Sequence, residues 1–266
     1  MKIADHIFYV TGGASGLGAA TVRGLHAKGA HVAIWDLDVE GATRLSEELG
    51  GERTLVGEVD VTEEEDVRQA IQAADDKWKG STVAGCVNCG GVGMAGKIID
   101  AEGEPFNLDT FKKVVDINLV GTFNVSRLTA ARIVRDLPRP LQKPNSETQD
   151  RGVIINTASA AAFEGQTGQV SYSASKGGVV GMSMPMARDL AWYGIRVMAL
   201  APALFSTPMM ERLPQRAKDA ILRTAEFPLR FGHPEEFAHA VIACIENSML
   251  NGSFIRLDGA TRLGKL

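Results

Sequence analysis

Residues Ile7–Gly18 read IFYVTGGASGLG. Ile7–Val10 is apolar and suits a buried strand. Glycines follow at 12, 13, 16 and 18, and a helical pattern runs from about Leu17 to Lys28, with Gly29 as its stop. Strand, glycine-rich turn and helix make the opening of a βα unit. In such a unit Gly12 permits the tight turn, Gly16 lets backbone approach a ligand, and Gly18 lets the helix pack on the sheet. The helix N-terminus then offers unpaired N–H groups to a pyrophosphate. The spacing is G-x-x-x-G-x-G rather than G-x-G-x-x-G. Alone such a turn says little, but between a strand and a helix it points to a dinucleotide.

Outward from this unit the same rhythm repeats. Further strands are expected at His31–Trp35, Thr54–Val59, Val83–Val87, Val153–Asn156, Ile195–Leu200 and Phe254–Leu257. Several are apolar on successive residues, as in a parallel sheet covered on both faces. Helical patterns lie between them. One starts at Thr62, where Thr62 and Glu65 fit a capping box and the acidic run Glu63–Asp66 suits a helix start. A long one runs from about Asp109 into Arg132–Arg135. The chain therefore reads as one α/β domain over 1–266, a doubly wound seven-stranded parallel sheet with helices on both faces. Leu137–Arg151 is Pro-rich and polar and reads as a surface loop. Ser206–Phe231 breaks the rhythm, with Pro208, Pro214 and Pro228 among Met209, Met210, Leu213, Ile221, Leu222 and Phe227. It reads as two short helices over the ligand edge of the sheet, a substrate lid.

Composition narrows the function classes. Of 266 residues 45% are hydrophobic and 23% charged, with a net charge of −4. Nothing in this balance favours nucleic acid. No apolar stretch is long enough to cross a membrane. The first strand begins almost at once, which leaves no room for a signal or transit peptide, so a cytoplasmic protein is expected. Cys86 and Cys89 form a C-x-x-C, but no second pair or nearby His completes a ligand set. The segment reads instead as a buried strand in which cysteine acts as a small hydrophobe, and no metal is expected.

Two further sites carry chemistry. Asp36 ends the second strand, eighteen residues after Gly18. A carboxylate there suits ribose hydroxyls and repels a 2′-phosphate, and no Lys or Arg lies in the turn, so NAD is expected over NADP. Asp36 could alternatively start a turn with Leu37 and Asp38. Farther on, Gly152–Gly178 reads GVIINTASAAAFEGQTGQVSYSASKGG. Ser159 follows a strand, and Tyr172 and Lys176 share one face of a helix that should begin near Tyr172. This is a proton-transfer set. Tyr172 would be the base for an alcohol, Ser159 would hold its oxygen, and the Lys176 ammonium should lower the tyrosine pKa.

Together these residues resemble the short-chain dehydrogenase/reductase family. The resemblance rests on TGGASGLG, Asp36, Asp60–Thr62, VNCGG (Val87–Gly91), INLVGTFNV (Ile117–Val125), Ser159 and YSASK (Tyr172–Lys176), in the family's order over nearly the whole chain. RGVIINTASAAAFEGQ, RDLAWYGIRVMALAPALFSTP and RLDGA look like one subgroup, the type 2 3-hydroxyacyl-CoA dehydrogenases, also called 17β-hydroxysteroid dehydrogenase type 10.

The resemblance implies a Rossmann-type fold, NAD(H), a homotetramer, and oxidation of a 3-hydroxyacyl-CoA or a hydroxysteroid. It also admits a mitochondrial address. It implies a tetrad of Asn118, Ser159, Tyr172 and Lys176, with Asn118 placing a water that relays protons to Lys176. Cofactor contacts fall by resemblance on Gly12, Ser15, Leu17, Gly18, Asp36, Asp60, Val61, Asn88, Cys89, Gly90, Tyr172, Lys176, Phe205 and Thr207. Gln166, with Ser159 and Tyr172, falls near the substrate oxygen.

The chain departs from the family at two positions. Gly91 follows the strand-four end and should give it extra backbone freedom, and Ala203 stands where Pro-Gly is usual. Arg212, Arg216, Lys218, Arg223 and Arg230 either meet a CoA phosphate or form a solvated helix face. The loose match in Gly93–Phe106 and the lid leaves open a specialised alcohol or ketone as substrate. A scaffold subunit with incidental activity is the reading from another class.

Overall fold

A computed structural model of the chain describes residues 1–138, 140–142, 144–146, 148, 150–211 and 215–262. Arg212, Leu213 and Pro214 of the expected lid lie outside the described residues, as do Arg139, Lys143, Glu147 and Gln149 of the expected loop and the side chains of Met209 and Ile221.

Seven strands form one parallel sheet in the order β3-β2-β1-β4-β5-β6-β7. They are β1 (Ile7–Thr11), β2 (His31–Asp36), β3 (Thr54–Glu58), β4 (Val83–Asn88), β5 (Gly152–Thr157), β6 (Ile195–Pro202) and β7 (Ser253–Leu257). All seven expected strands form, each within two residues of its expected ends. The order reverses between β1 and β4, and such a reversal opens a crevice at the C-terminal ends of those strands.

Alternate residues feed two apolar layers. Phe8, Val10, Val32, Ile34 and Val87 face one side, with α1 (Gly16–Ala27), α2 (Val39–Glu48) and α9 (Pro234–Glu246). Tyr9, Trp35, Cys86, Ile154 and Val197 face the other, with α3 (Glu64–Lys77), α5 (Thr122–Arg135) and α6 (Val170–Ala191). Burial on both faces explains why these strands are continuously apolar. Tyr9 and Trp35 stack across β1 and β2 with centroids 4.5 Å apart. Cys86 lies inside this layer, as the hydrophobic reading of the C-x-x-C requires.

Two local expectations need correction. The Thr62 capping box does not form. Asp60 captures both the backbone N–H and the hydroxyl of Thr62, at 2.9 and 2.7 Å, and the helix starts two residues later at Glu64. The acidic residues still occupy its first turn. The long helix is interrupted: α4 (Leu108–Val115) passes into a π-helical turn, Asp116–Gly121, before α5. Helical periodicity alone cannot register one inserted residue. As expected, α6 begins near Tyr172, at Val170, and Tyr172 sits in its first turn.

The lid region contains α7 (Pro208–Glu211) and α8 (Gln215–Leu222), and Phe205 bridges to Gly232 behind them. Phe227 and Leu229 point outward, 80% and 71% exposed, so this end of the segment does not pack as a core helix would. Among the described residues, no helix is long and apolar enough to cross a membrane.

Candidate active site

The crevice is bounded first by the β1–α1 turn. Gly12 has φ +61°, and a Cβ there would lie 2.7 Å from the backbone nitrogen of Gly90, so only glycine lets the ends of β1 and β4 meet. A Cβ on Gly18 would strike the Gly12 carbonyl, which is why α1 can start so close to the strand. The Gly90 N–H donates to Thr11 Oγ1 at 3.1 Å and the Cys89 N–H to the Thr11 carbonyl at 3.1 Å. Ser15 is the exposed N-cap of α1 and its side chain makes no capping hydrogen bond. No acidic residue occupies the first turn of α1. The turn is thus a cradle of glycine backbone with an open, positive helix end, and it fits a pyrophosphate.

Asp36 ends β2 next to this turn. Its Oδ2 accepts from the Ala14 N–H and its Oδ1 from the Asp38 N–H, both at 3.0 Å. It thus starts the Leu37–Asp38 turn, and the same carboxylate sits beside the glycine turn. Asp60 and Val61 follow β3, and the Val61 carbonyl is held by Asn124 Nδ2 at 2.9 Å. Thr207 lies over the turn, its Cγ2 3.3 Å from where a Cβ of Gly16 would stand. Leu17 is half-buried at the start of α1.

Two expected cofactor residues turn their side chains away. Asn88 is buried and donates to Ser126 Oγ at 3.0 Å and Asn156 Oδ1 at 2.8 Å, inside the layer under α5. Phe205 packs edge-on to Phe237 at 6.4 Å, in the opposite layer.

The expected catalytic side chains lie at the end of β5 and on α6. Ser159 caps the short 3-10 turn Ala160–Ala162, its Oγ accepting from the Ala161 N–H at 3.2 Å. It is also near enough to the Tyr172 hydroxyl to pull that phenol's pKa downward. Lys176 is 4% exposed, and its Nζ donates to the Thr157 carbonyl at 2.7 Å and stands 5.8 Å from the centre of the Tyr172 ring. Ser159, Tyr172 and Lys176 are therefore together, as their spacing requires.

Burial acts against the expected lowering of the Tyr172 pKa. It pushes the phenol above its ordinary value, and Ser159 opposes this only in part. Burial likewise lowers Lys176 to about 8, against a smaller upward pull from Cys89.

Asn118 is fully buried in the π turn. Its Oδ1 accepts from the Val92 N–H at 2.8 Å, and its Nδ2 donates to the Val92 carbonyl at 2.9 Å and to Ser175 Oγ at 3.1 Å. Both amide hydrogens are used, so the side chain is a clamp on the crevice wall. Ser175 Oγ in turn donates to the Tyr172 carbonyl at 2.7 Å. Sequence reading missed Ser175; the signal was its place three residues after Tyr172 on the same helix. Gly91 also proves different from expectation. Its φ is not in the left-handed region, and a Cβ there would stand 3.0 Å from Asn118 Oδ1 and 3.6 Å from Lys176 Nζ. Close approach, not backbone freedom, is what it provides. Ala203 likewise has no left-handed φ.

Gln166 lies in the loop after Ser159, and its Nε2 is buried with no partner. Cys89 is partly buried near Thr157, its thiol pushed up to about 11 by burial, and Cys86 up to about 12. Neither thiol has the lowered pKa of a redox pair. Among the described residues no group of three or more His, Cys, Asp or Glu could hold a metal ion.

A glycine cradle for a pyrophosphate at the sheet's switch point, beside a Ser-Tyr-Lys set, defines a dinucleotide-dependent oxidoreductase. The family profile described as short chain dehydrogenase matches residues 6–218. The chain is 47% identical over 255 residues to human (Homo sapiens) 3-hydroxyacyl-CoA dehydrogenase type-2, covering 96% of this chain and 94% of that protein. The crystal structure of 3-hydroxyacyl-CoA dehydrogenase type-2 from Mycobacterium avium superposes with a TM-score of 0.89 at 40% identity, over 98% of this chain and 97% of that one. A 3-ketoacyl-(acyl-carrier-protein) reductase from Brucella melitensis, complexed with NADH, superposes with a TM-score of 0.82 at 27% identity, over 98% and 100%. This chain belongs to the short-chain dehydrogenase family. It is an oxidoreductase of the nicotinamide-dependent kind.

Proposed function

We propose that the chain is an NAD-linked dehydrogenase that interconverts a 3-hydroxyacyl-CoA and its 3-oxoacyl-CoA. The observation that carries the chemistry is the Ser159–Tyr172 hydroxyl pair with Lys176 buried beside it. The nicotinamide supplies the hydride acceptor. Tyr172 takes the proton from the substrate hydroxyl, and Ser159 donates to the same oxygen and holds it against Tyr172. Lys176 holds the nicotinamide ribose with the donors that the Thr157 carbonyl leaves unused. Gln166 meets a second substrate oxygen, for which its unpartnered Nε2 is a ready donor. Asn118 acts through position, by fixing the Val92 backbone and, through Ser175, the first turn of α6.

Asp36 supports NAD over NADP, because its carboxylate stands where a 2′-phosphate would bring like charge. The acyl-CoA reading draws on the relatives named 3-hydroxyacyl-CoA dehydrogenase type-2. Segment 206–231 serves as the lid over this substrate. Within it Arg216 and Arg223 are exposed and suit a CoA phosphate, whereas Arg230 is held by Glu236 at 2.8 Å. The homotetramer is supported by apolar side chains left on two faces: Phe123 and Trp192 on the α5–α6 side, and Phe254 and Met184 at the β7 edge. A cytoplasmic or mitochondrial-matrix setting suits such an enzyme.

The test is NADH or NADPH formation with 3-hydroxybutyryl-CoA, longer 3-hydroxyacyl-CoAs, a hydroxysteroid and simple secondary alcohols. NAD-linked turnover of the acyl-CoAs is expected. Turnover confined to a non-thioester alcohol, or to NADP, would contradict the reading.

A further inference from the structure

Arg256, on the edge strand β7, grips two consecutive residues of the loop that follows Ser159. Its guanidinium meets Glu164 through two hydrogen bonds, at 2.7 and 3.2 Å, and lies 5.2 Å over the ring of Phe163. Asp258 holds the same guanidinium at 2.5 Å. Arg262 completes the set, 3.5 Å from Glu164 and 3.1 Å from Asp258. The side chains of Glu164, Arg256 and Asp258 are 22%, 20% and 11% exposed. Bidentate geometry and partial burial set this network apart from the solvated ion pairs that contribute little.

The grip is transmitted by a short, tightly bonded segment. The Ala162 N–H donates to the Ser159 carbonyl at 3.0 Å, and the Phe163 and Glu164 N–H groups donate to the Ala160 carbonyl at 3.0 and 3.1 Å. Glu164 therefore sits one closed turn from Ser159. On its other side, Gly165 lies against the Ser173 side chain, and Gln166 and Gln169 bond each other at the entry to α6. The C-terminal turn that carries Asp258 also meets the lid, since the Phe227 N–H donates to the Gly259 carbonyl at 3.2 Å. The glycine turn and Asp36 lie on β1 and β2, with β4, β5 and β6 between them and β7.

We propose that the Glu164–Arg256–Asp258–Arg262 network is a latch that sets the substrate wall of the crevice. Glu164 and Arg256 are then positioning residues for the alcohol and not for the cofactor. The latch rests on the assignment of Ser159 and Tyr172 made above. It also ties the lid end and the Ser159 loop to one anchor, so both substrate-facing segments share a single support.

The test compares wild type with Glu164→Gln, Glu164→Ala, Arg256→Ala and the double alanine variant, by steady-state kinetics and by amide hydrogen exchange of residues 160–169. Expected are a KM for 3-hydroxybutyryl-CoA raised about tenfold, a KM for NAD within about twofold of wild type, and non-additive singles. Exchange over 160–169 should quicken while the β1–α1 turn stays protected. Equal changes in both KM values, or unchanged exchange over 160–169, would overturn the latch. Glu164→Gln keeps the shape of the side chain and carries the test if an alanine variant fails to fold. If wild type turns over no hydroxyacyl-CoA, the substrate reading falls and the exchange measurement alone decides the latch.

Discussion

Lys176 carries an ammonium into a site where burial lowers its pKa to about 8. Its ordinary value is 10.5. The unfolded chain therefore binds this proton more tightly, and between about pH 8 and about pH 10 the fold gains stability as pH rises. At neutral pH both states are protonated, and burying the charge costs about 3 kcal/mol. Lys176→Met should thus abolish turnover yet keep at least the wild-type thermal midpoint, even with the Thr157 carbonyl left without its donor. A midpoint several degrees lower would mean that Lys176 is chiefly structural. Tyr172 gives the second prediction at this scale. Its phenol is raised by burial, so it is protonated at neutral pH and suited to donate to a ketone. Oxidation needs the phenolate, so kcat/KM for the alcohol should climb as pH rises from about 7 to about 9, while reduction, which uses the protonated phenol, should stay level over that range. A flat pH profile for oxidation would contradict Tyr172 as the base.

The π turn between α4 and α5 does at the scale of an element what its helical neighbours cannot. It sets Asn118 so that one side chain meets both polar groups of the Val92 backbone. Asn118→Ala would leave those groups and Ser175 short of partners in a buried place. A loss of about 1–3 kcal/mol in urea unfolding is expected, together with a fall in kcat. Asp36 belongs to this scale too, because it joins the β2 end to the glycine turn. Asp36→Ala should cut the preference for NAD over NADP by about tenfold, measured as the ratio of kcat/KM values.

These elements also mark the limits of sequence reading. The strands were legible because residues such as Val32–Trp35 and Ile154–Ile155 are apolar in succession, which two-sided burial requires. The glycine turn was legible because Gly12 and Gly18 are dictated by steric contact. Tyr172 and Lys176 were legible because their spacing puts them on one face of α6, and Ser159 because it follows β5. The π turn was not, since one extra residue in a helix leaves the apolar pattern nearly intact. Nor was the balance of pKa values at Tyr172 and Lys176, which depends on burial that no spacing encodes. The Arg256 latch joins residues 92 positions apart in sequence, beyond any local signal.

The whole molecule places cofactor and substrate machinery on different parts of one sheet. The glycine turn and Asp36 lie on β1 and β2, and the latch lies on β7, with the Ser159–Tyr172–Lys176 set between them on β5 and α6. Apolar side chains left outside, Phe123, Trp192 and Phe254 among them, predict association. Light scattering should give four times the 28.4 kDa chain mass, and a monomer would remove the tetramer from the account. The most direct test of the central claim sets wild type beside Tyr172→Phe, following NADH formation from 3-hydroxybutyryl-CoA together with NADH binding. Turnover lower by about a hundredfold or more in the variant, with cofactor binding intact, is the predicted result. Turnover retained in Tyr172→Phe would contradict the account, because the proton would then leave by another group.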